Sequence, residues 1–152
     1  DWCISPSRFF CDYKQVDYCE EWLRSGKPFT TTEQRVDLYV YLRQKATWAS
    51  YVVGEHYSDQ EAMRLSPVNL VSNRFPKTVL VHGTDDCDVP ASASVQMDKV
   101  LTEHGVDCML NVVDGMDHDL FMQIDNTAVS NIWIGALEFI LHHDGKSKCL
   151  NV

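Results

Sequence analysis

Before Ser66, apolar residues recur every three or four positions; beyond it, stretches with that spacing alternate with short strand-like runs. Residues 8–25 carry Phe9, Tyr13, Val16, Cys19 and Leu23 at helical spacing, and "SGKP" supplies a stop at Gly26. "TTTEQ" then offers a capping box, Thr30 with Glu33, which predicts a helix running to about Tyr51. The centre of that stretch, "VDLYVYLRQ", is apolar almost all round, so periodicity alone leaves a strand open there. Ser58 and Glu61 form a second capping box in "SDQEAMRLSP", a short helix that Pro67 prevents from continuing.

The second half has another rhythm. Thr78–His82 is a short continuous apolar run, suited to a strand buried on both faces. Residues 92–104 read as a helix bearing Val100 and Leu101, with Gly105 in the position just past its end. "DCMLNVV" alternates through Cys108, Leu110 and Val112 and predicts a second strand. After the loop "DGMDHDLF", Val129, Ile132, Trp133, Ala136, Leu137 and Ile140 mark an amphipathic helix. The order is β-α-β-loop-α, the pattern of a parallel sheet with flanking helices. The expected class is α/β, with residues 1–65 a helical segment and 66–152 the sheet-bearing part. Two strands are few for a covered parallel sheet, so part of the sheet is expected to be missing from the chain or unread in it.

Length and composition narrow the picture modestly. At 152 residues the chain can bury a real core, and 45% apolar with 23% charged residues is ordinary for a globular protein. A net charge of −9 argues against nucleic acid or an anionic membrane as the main partner. No apolar run approaches the roughly eighteen residues of a membrane span. The opening "DWCISPSRFF" has no start Met, basic region or long apolar core, and does not read as a signal peptide. A chain beginning at Asp reads as processed or as a piece of something longer. The six cysteines, Cys3, Cys11, Cys19, Cys87, Cys108 and Cys149, lack CxxC spacing and read mostly as buried free thiols. A reducing, cytoplasmic setting is the weak corollary.

The chemistry is expected on two loops. "HGTDDCDVP" follows the first strand and crowds Asp85, Asp86 and Asp88 together, although close carboxylates repel. "DGMDHDLF" follows the second strand. Parallel sheets bind ligands beyond the carboxyl ends of their strands. If the strands are neighbours, an Asp of one loop can reach the His of the other. A carboxylate on Nδ1 fixes the tautomer of an imidazole and steadies the imidazolium formed when Nε2 takes a proton.

These residues resemble a known family. "HGTDDCDVP" is similar to the His-Gly-x-x-Asp-x-x-Val-Pro pattern after the penultimate core strand of α/β-hydrolase esterases and the related prolyl-peptidase branch. "GMDHDLF" resembles the Gly-x-x-His loop after that family's last core strand, and "SPVNLVSNRFPKTVLVHG" looks like its usual approach to the first motif. The resemblance spans about Ser66 to Phe121. It implies that Asp86 is the acid and His118 the general base of a catalytic triad, and it leaves Asp85 and Asp88 as turn and cap residues. It also implies a serine hydrolase acting on an ester, thioester or peptide-like acyl bond, with a small-molecule acyl substrate and neither cofactor nor metal.

The departure from the family is large. No serine has glycine both two before and two after it, as the Gly-x-Ser-x-Gly elbow requires. Ser147 follows Gly145 but precedes Cys149, and it lies after the histidine. The Gly-rich oxyanion loop is also absent. The expected fold is therefore the C-terminal part of an α/β-hydrolase with a helical cap-like segment before it. Phe9, Phe10, Tyr13, Trp22, Tyr39 and Trp48 of that segment either line an acyl pocket or pack its helices.

Other groups weigh less. Cys87 adjoins Asp86 without a geometry that recommends it as a nucleophile. His82 reads as a satisfied core histidine. His142 and His143 suit a helix C-terminus better than a metal site. Asp117 and Asp119 flank His118 and should favour its protonated form. Two further readings stand beside the hydrolase. A truncated, inactive relative would serve as a binding or interaction module, with its incomplete sheet paired to another chain or to itself. A small α/β domain unrelated to hydrolases would not bring Asp86 and His118 together.

Overall fold

The computed structural model describes residues 16–45 and 47–142. The chain divides into two compact units, Asp1–Ser66 and Pro67–Val152. The predicted start of the first helix, including Phe9, Phe10 and Tyr13, lies outside the described residues, as do Cys3, Cys11, His143 and Cys149.

The first unit is helical. Helix α1 covers Tyr18–Arg24 and ends before Gly26, whose φ of 65° suits glycine. Helix α2, Thr32–Gln44, is capped one residue later than "TTTEQ" suggested. Thr31 Oγ1 accepts the amide of Gln34 at 3.1 Å, and Gln34 Oε1 accepts the amide of Thr31 at 3.2 Å. Three consecutive threonines offer competing caps, and the better register won. The helix also stops at Gln44, well before Tyr51; a separate helix α3 covers Trp48–Val53. Helix α4, Asp59–Met63, has the predicted Ser58–Glu61 box.

The ambiguous "VDLYVYLRQ" is helix. Its Val40, Tyr41 and Leu42 are buried with Val16 and Cys19, and Leu23, Phe29, Leu38, Tyr39 and Trp48 pack against them. Tyr39 meets Trp48 edge-on at 5.4 Å between ring centres, and Trp22 meets Phe29 at 6.3 Å. These three candidate pocket aromatics thus make packing contacts of the kind that hold helices together. Tyr18 donates a hydrogen bond of 2.6 Å to Asp37 Oδ2, which ties α1 to α2.

The second unit is built on two parallel strands. β1, Thr78–Gly83, and β2, Cys108–Val113, pair from Thr78↔Cys108 to Gly83↔Val113. Helix α5, Ala91–Glu103, makes the crossover and ends at His104 with Gly105 at φ 71°. Leu101 is fully buried with Val106 and Cys108, and Val71, Phe75, Leu80 and Met97 pack around them. Helix α6, Thr127–Leu141, is started by Asn126, whose side chain accepts the amide of Ala128 at 2.9 Å. It packs on both strands through a face that buries Val129 and Ala136.

Two expectations of burial fail in this unit. β1 is half-buried over most of its length rather than covered on both faces, and Val112 of β2 is exposed. Leu137 and Ile140, predicted on the apolar stripe of α6, are 61% and 44% exposed. The stripe is wider than the surface that two strands present to it. Cys19 and Cys108 are buried and not in a disulfide, as expected. Cys87 differs; it is disulfide-bonded, and the argument from free thiols to a reducing setting does not extend to it. No helix among the described residues is long and apolar enough to cross a membrane.

Candidate active site

Parallel pairing puts the carboxyl ends of β1 and β2 side by side, so the loops that leave them start as neighbours. They are then laced together. Thr84 donates its amide to Val113 O at 3.0 Å, and Asp85 donates its amide to Met116 O at 2.9 Å. The amide of Gly115, at φ 67°, donates back to Thr84 Oγ1 at 2.8 Å.

This lacing sets Asp86 against His118. Asp86 Oδ2 lies 2.9 Å from His118 Nδ1. The other oxygen is pinned by its own loop: Oδ1 accepts the amides of Asp88 and Val89, each at 2.8 Å. The Asp86 side chain is 4% exposed, whereas the His118 side chain is 50% exposed. The imidazole therefore keeps Nδ1 on a buried acceptor and turns its opposite edge outward. Leu120, buried at the start of a short 3₁₀ turn to Met122, anchors the chain just past the histidine.

The electrostatics follow from these contacts. Burial works to push the Asp86 carboxyl up. The Val89 amide, the His118 imidazole and the Asp88 amide oppose it, and the net result lies below the ordinary carboxylate value. His118 is raised above an ordinary histidine, first by its hydrogen bond to Asp86. Partial burial opposes that rise, and the charges of Asp86, Asp88 and Asp119 add to it. Of the two flanking carboxylates, Asp119 thus acts in the anticipated direction, but the leading cause is Asp86.

Several residues were missed or underrated by sequence. Asp85 is exposed, as a turn residue should be, but Asp88 is half-buried and bears on His118. His82 is indeed a buried histidine with partners, Ser94 and the Val89 carbonyl, yet it also reaches Asp86. Its spacing of four from Asp86 was the available signal. Cys87, as part of a disulfide, has no thiol to act as a nucleophile. Among the described residues, no group of three or more His, Cys, Asp or Glu is arranged to hold a metal ion.

Residues 29–143 match the model of the prolyl oligopeptidase family. The chain belongs to that family. This prolyl oligopeptidase-family chain is similar to a solved structure, the acetyl ester-xyloside bifunctional hydrolase from Caldicellulosiruptor lactoaceticus, at 27% identity and a TM-score of 0.52. The likeness covers 63% of this chain and 37% of that one, so the chain spans little more than a third of its neighbour. No curated protein matches it. Family and neighbour agree with the two parallel strands and flanking helices: the chain is a C-terminal portion of an α/β-hydrolase fold.

Proposed function

We propose that this chain supplies the acid and the base of a Ser-His-Asp triad, in a serine hydrolase that cleaves an ester, thioester or peptide-like acyl bond. The observation that carries the reading is the 2.9 Å contact between His118 Nδ1 and an Asp86 oxygen whose partner oxygen is held by two amides. Such a carboxylate keeps the Nδ1 hydrogen in place and leaves Nε2 as the basic nitrogen. Nε2 takes the proton of the serine as it attacks the acyl carbon, and later returns it to the leaving group. Asp86 remains ionised throughout and steadies the imidazolium. The serine itself is contributed by sequence outside these 152 residues. The similarity to an acetyl ester hydrolase favours a small acyl ester as substrate.

The test uses the longer hydrolase that carries this segment, assayed on a chromogenic acetyl ester. His118→Ala is expected to lower kcat by about 10⁶-fold and Asp86→Asn by about 10⁴-fold, with KM little changed. Unaltered turnover in both variants would remove Asp86 and His118 from the chemistry, whereas absence of turnover in the unsubstituted protein would favour the inactive, interaction-module reading. A fluorophosphonate probe is expected to leave the 152-residue chain unlabelled. Stoichiometric labelling of a serine in it would overturn the assignment of the nucleophile to other sequence.

A further inference from the structure

Asp86 has a second imidazole. His82, at the end of β1 and only 9% exposed, brings Nε2 to 3.0 Å from the same Oδ2 that faces His118. That Nε2 also lies 2.9 Å from the Val89 carbonyl, and Nδ1 lies 2.7 Å from Ser94 Oγ on α5. A carbonyl oxygen only accepts, so Nε2 carries a hydrogen. In the neutral ring Nδ1 is then an acceptor, and the Ser94 hydroxyl donates to it. The Nε2 hydrogen goes to the Val89 carbonyl, and the Asp86 carboxylate oxygen lies 3.0 Å from the same nitrogen.

The carboxylate therefore has three hydrogen-bond donors and, at 3.0 Å, a fourth nitrogen beside it. Two backbone amides hold Oδ1, His118 hydrogen-bonds Oδ2, and the N–H edge of His82 lies against that same oxygen. Charge that Oδ2 commits to one ring is less available to the other. We infer that His82 is a positioning residue of this site. From the buried side of Asp86 it fixes Oδ2 and takes up part of its charge, and so limits how firmly Asp86 holds a proton on His118. This rests on the reading of Asp86 and His118 as acid and base.

The surroundings give such a counterweight something to do. The charged groups that bear on His118 are Asp86 and Asp88 from the first loop and Asp119 from its own, all anionic. The other groups around Asp86 are His82 from β1 and, behind it, the neutral Ser94 from α5. A base held too firmly as imidazolium cannot accept the proton of a nucleophile. A polar N–H edge set beside Oδ2 draws on the charge of Asp86 and works against that outcome.

Nitrogen-detected NMR of the 152-residue chain reads both rings directly. In the unsubstituted chain, His82 is expected to carry its hydrogen on Nε2, and His118 on Nδ1. His82→Leu removes the donor; the titration midpoints of His118 and of the Asp86 carboxyl are both expected to move to higher pH. His82→Gln places an amide N–H near the position of Nε2 and is expected to bring both midpoints back. A histidine that merely props the loops predicts the opposite sign, because loosening would separate Asp86 from His118 and lower the His118 midpoint. That lowering, or no movement, overturns the inference.

Should His82→Leu fail to fold, the unsubstituted chain still decides. A His82 Nε2–H signal that follows the Asp86 titration supports the inference. Hydrogen on Nδ1 of His82, or an Nε2–H signal indifferent to Asp86, refutes it. Loss of the Nδ1 hydrogen from neutral His118 would instead sink the acid–base reading itself.

Discussion

Gly83 and Met116 approach so closely that only a glycine fits. A Cβ on Gly83 would stand 2.0 Å from the Met116 carbonyl oxygen and 2.5 Å from its carbon. The end of β1 thus runs directly against the backbone of the second loop. Asp85, two residues on, donates its amide to that same carbonyl at 2.9 Å. This contact fixes the distance between the loop that carries Asp86 and the loop that carries His118.

Gly83→Ala should accordingly damage stability and the site together. The added methyl meets rigid backbone, so the loops must part at a cost of about 1–3 kcal/mol. Urea unfolding measures the first effect. NMR titration measures the second, where the His118 midpoint should fall toward that of an ordinary histidine. A stable variant with an unchanged His118 titration would show that the loops do not depend on this approach.

The pair also predicts how stability varies with pH. Asp86 is depressed from 3.8 on folding, so its contribution is present above that value and lost as pH falls through the lower folded one. His118 is raised from 6.5, so its contribution is complete below 6.5 and lost as pH rises through the higher folded value. Both are complete between 3.8 and 6.5, with a decline on either side. Asp86→Asn removes the acid-side titration and the main cause of the His118 shift. Thermal unfolding across pH should therefore show both edges flattened in that variant, and retention of both edges would assign them to other groups.

The caps of α2 separate two adjacent threonines. Thr31→Ala removes the side chain that accepts the Gln34 amide and should cost about 1 kcal/mol. Thr30→Ala leaves that bond in place and should cost a few tenths at most. Denaturant midpoints of the two variants test the order. The reverse order would restore the cap to Thr30.

Two leucines of the second unit should behave very differently. Leu101 is fully buried between α5 and the sheet, and Leu101→Ala should cost about 2–5 kcal/mol. Leu137 is 61% exposed on α6, and Leu137→Ala should stay within about 0.5 kcal/mol. A large loss at Leu137 would mean that its face of α6 is covered in solution.

Much of this was legible along the chain. Helices α4, α5 and α6 and both strands follow from spacing, caps and glycine stops, which act over a few residues. The loops "HGTDDCDVP" and "DGMDHDLF" were placed at strand ends by the same local signals. The cap of α2 was misread by one residue because neighbouring threonines are equivalent in composition and differ only in backbone geometry. The break at Gln44 leaves little mark in the sequence because no glycine or proline stands there.

The sequence by itself determined the order of elements, the acid-rich turn and the candidacy of Asp86 and His118. Only the tertiary structure decided that two histidines come within 3.0 Å of one carboxylate oxygen, that Asp88 bears on His118, and that Leu137 and Ile140 face outward. Helical and strand periods arise from contacts a few residues apart, so they can be read from a line of letters. The Asp86–His118 contact joins residues 32 apart, and it exists because β1 and β2 pair in one register and Gly83 lets their loops touch.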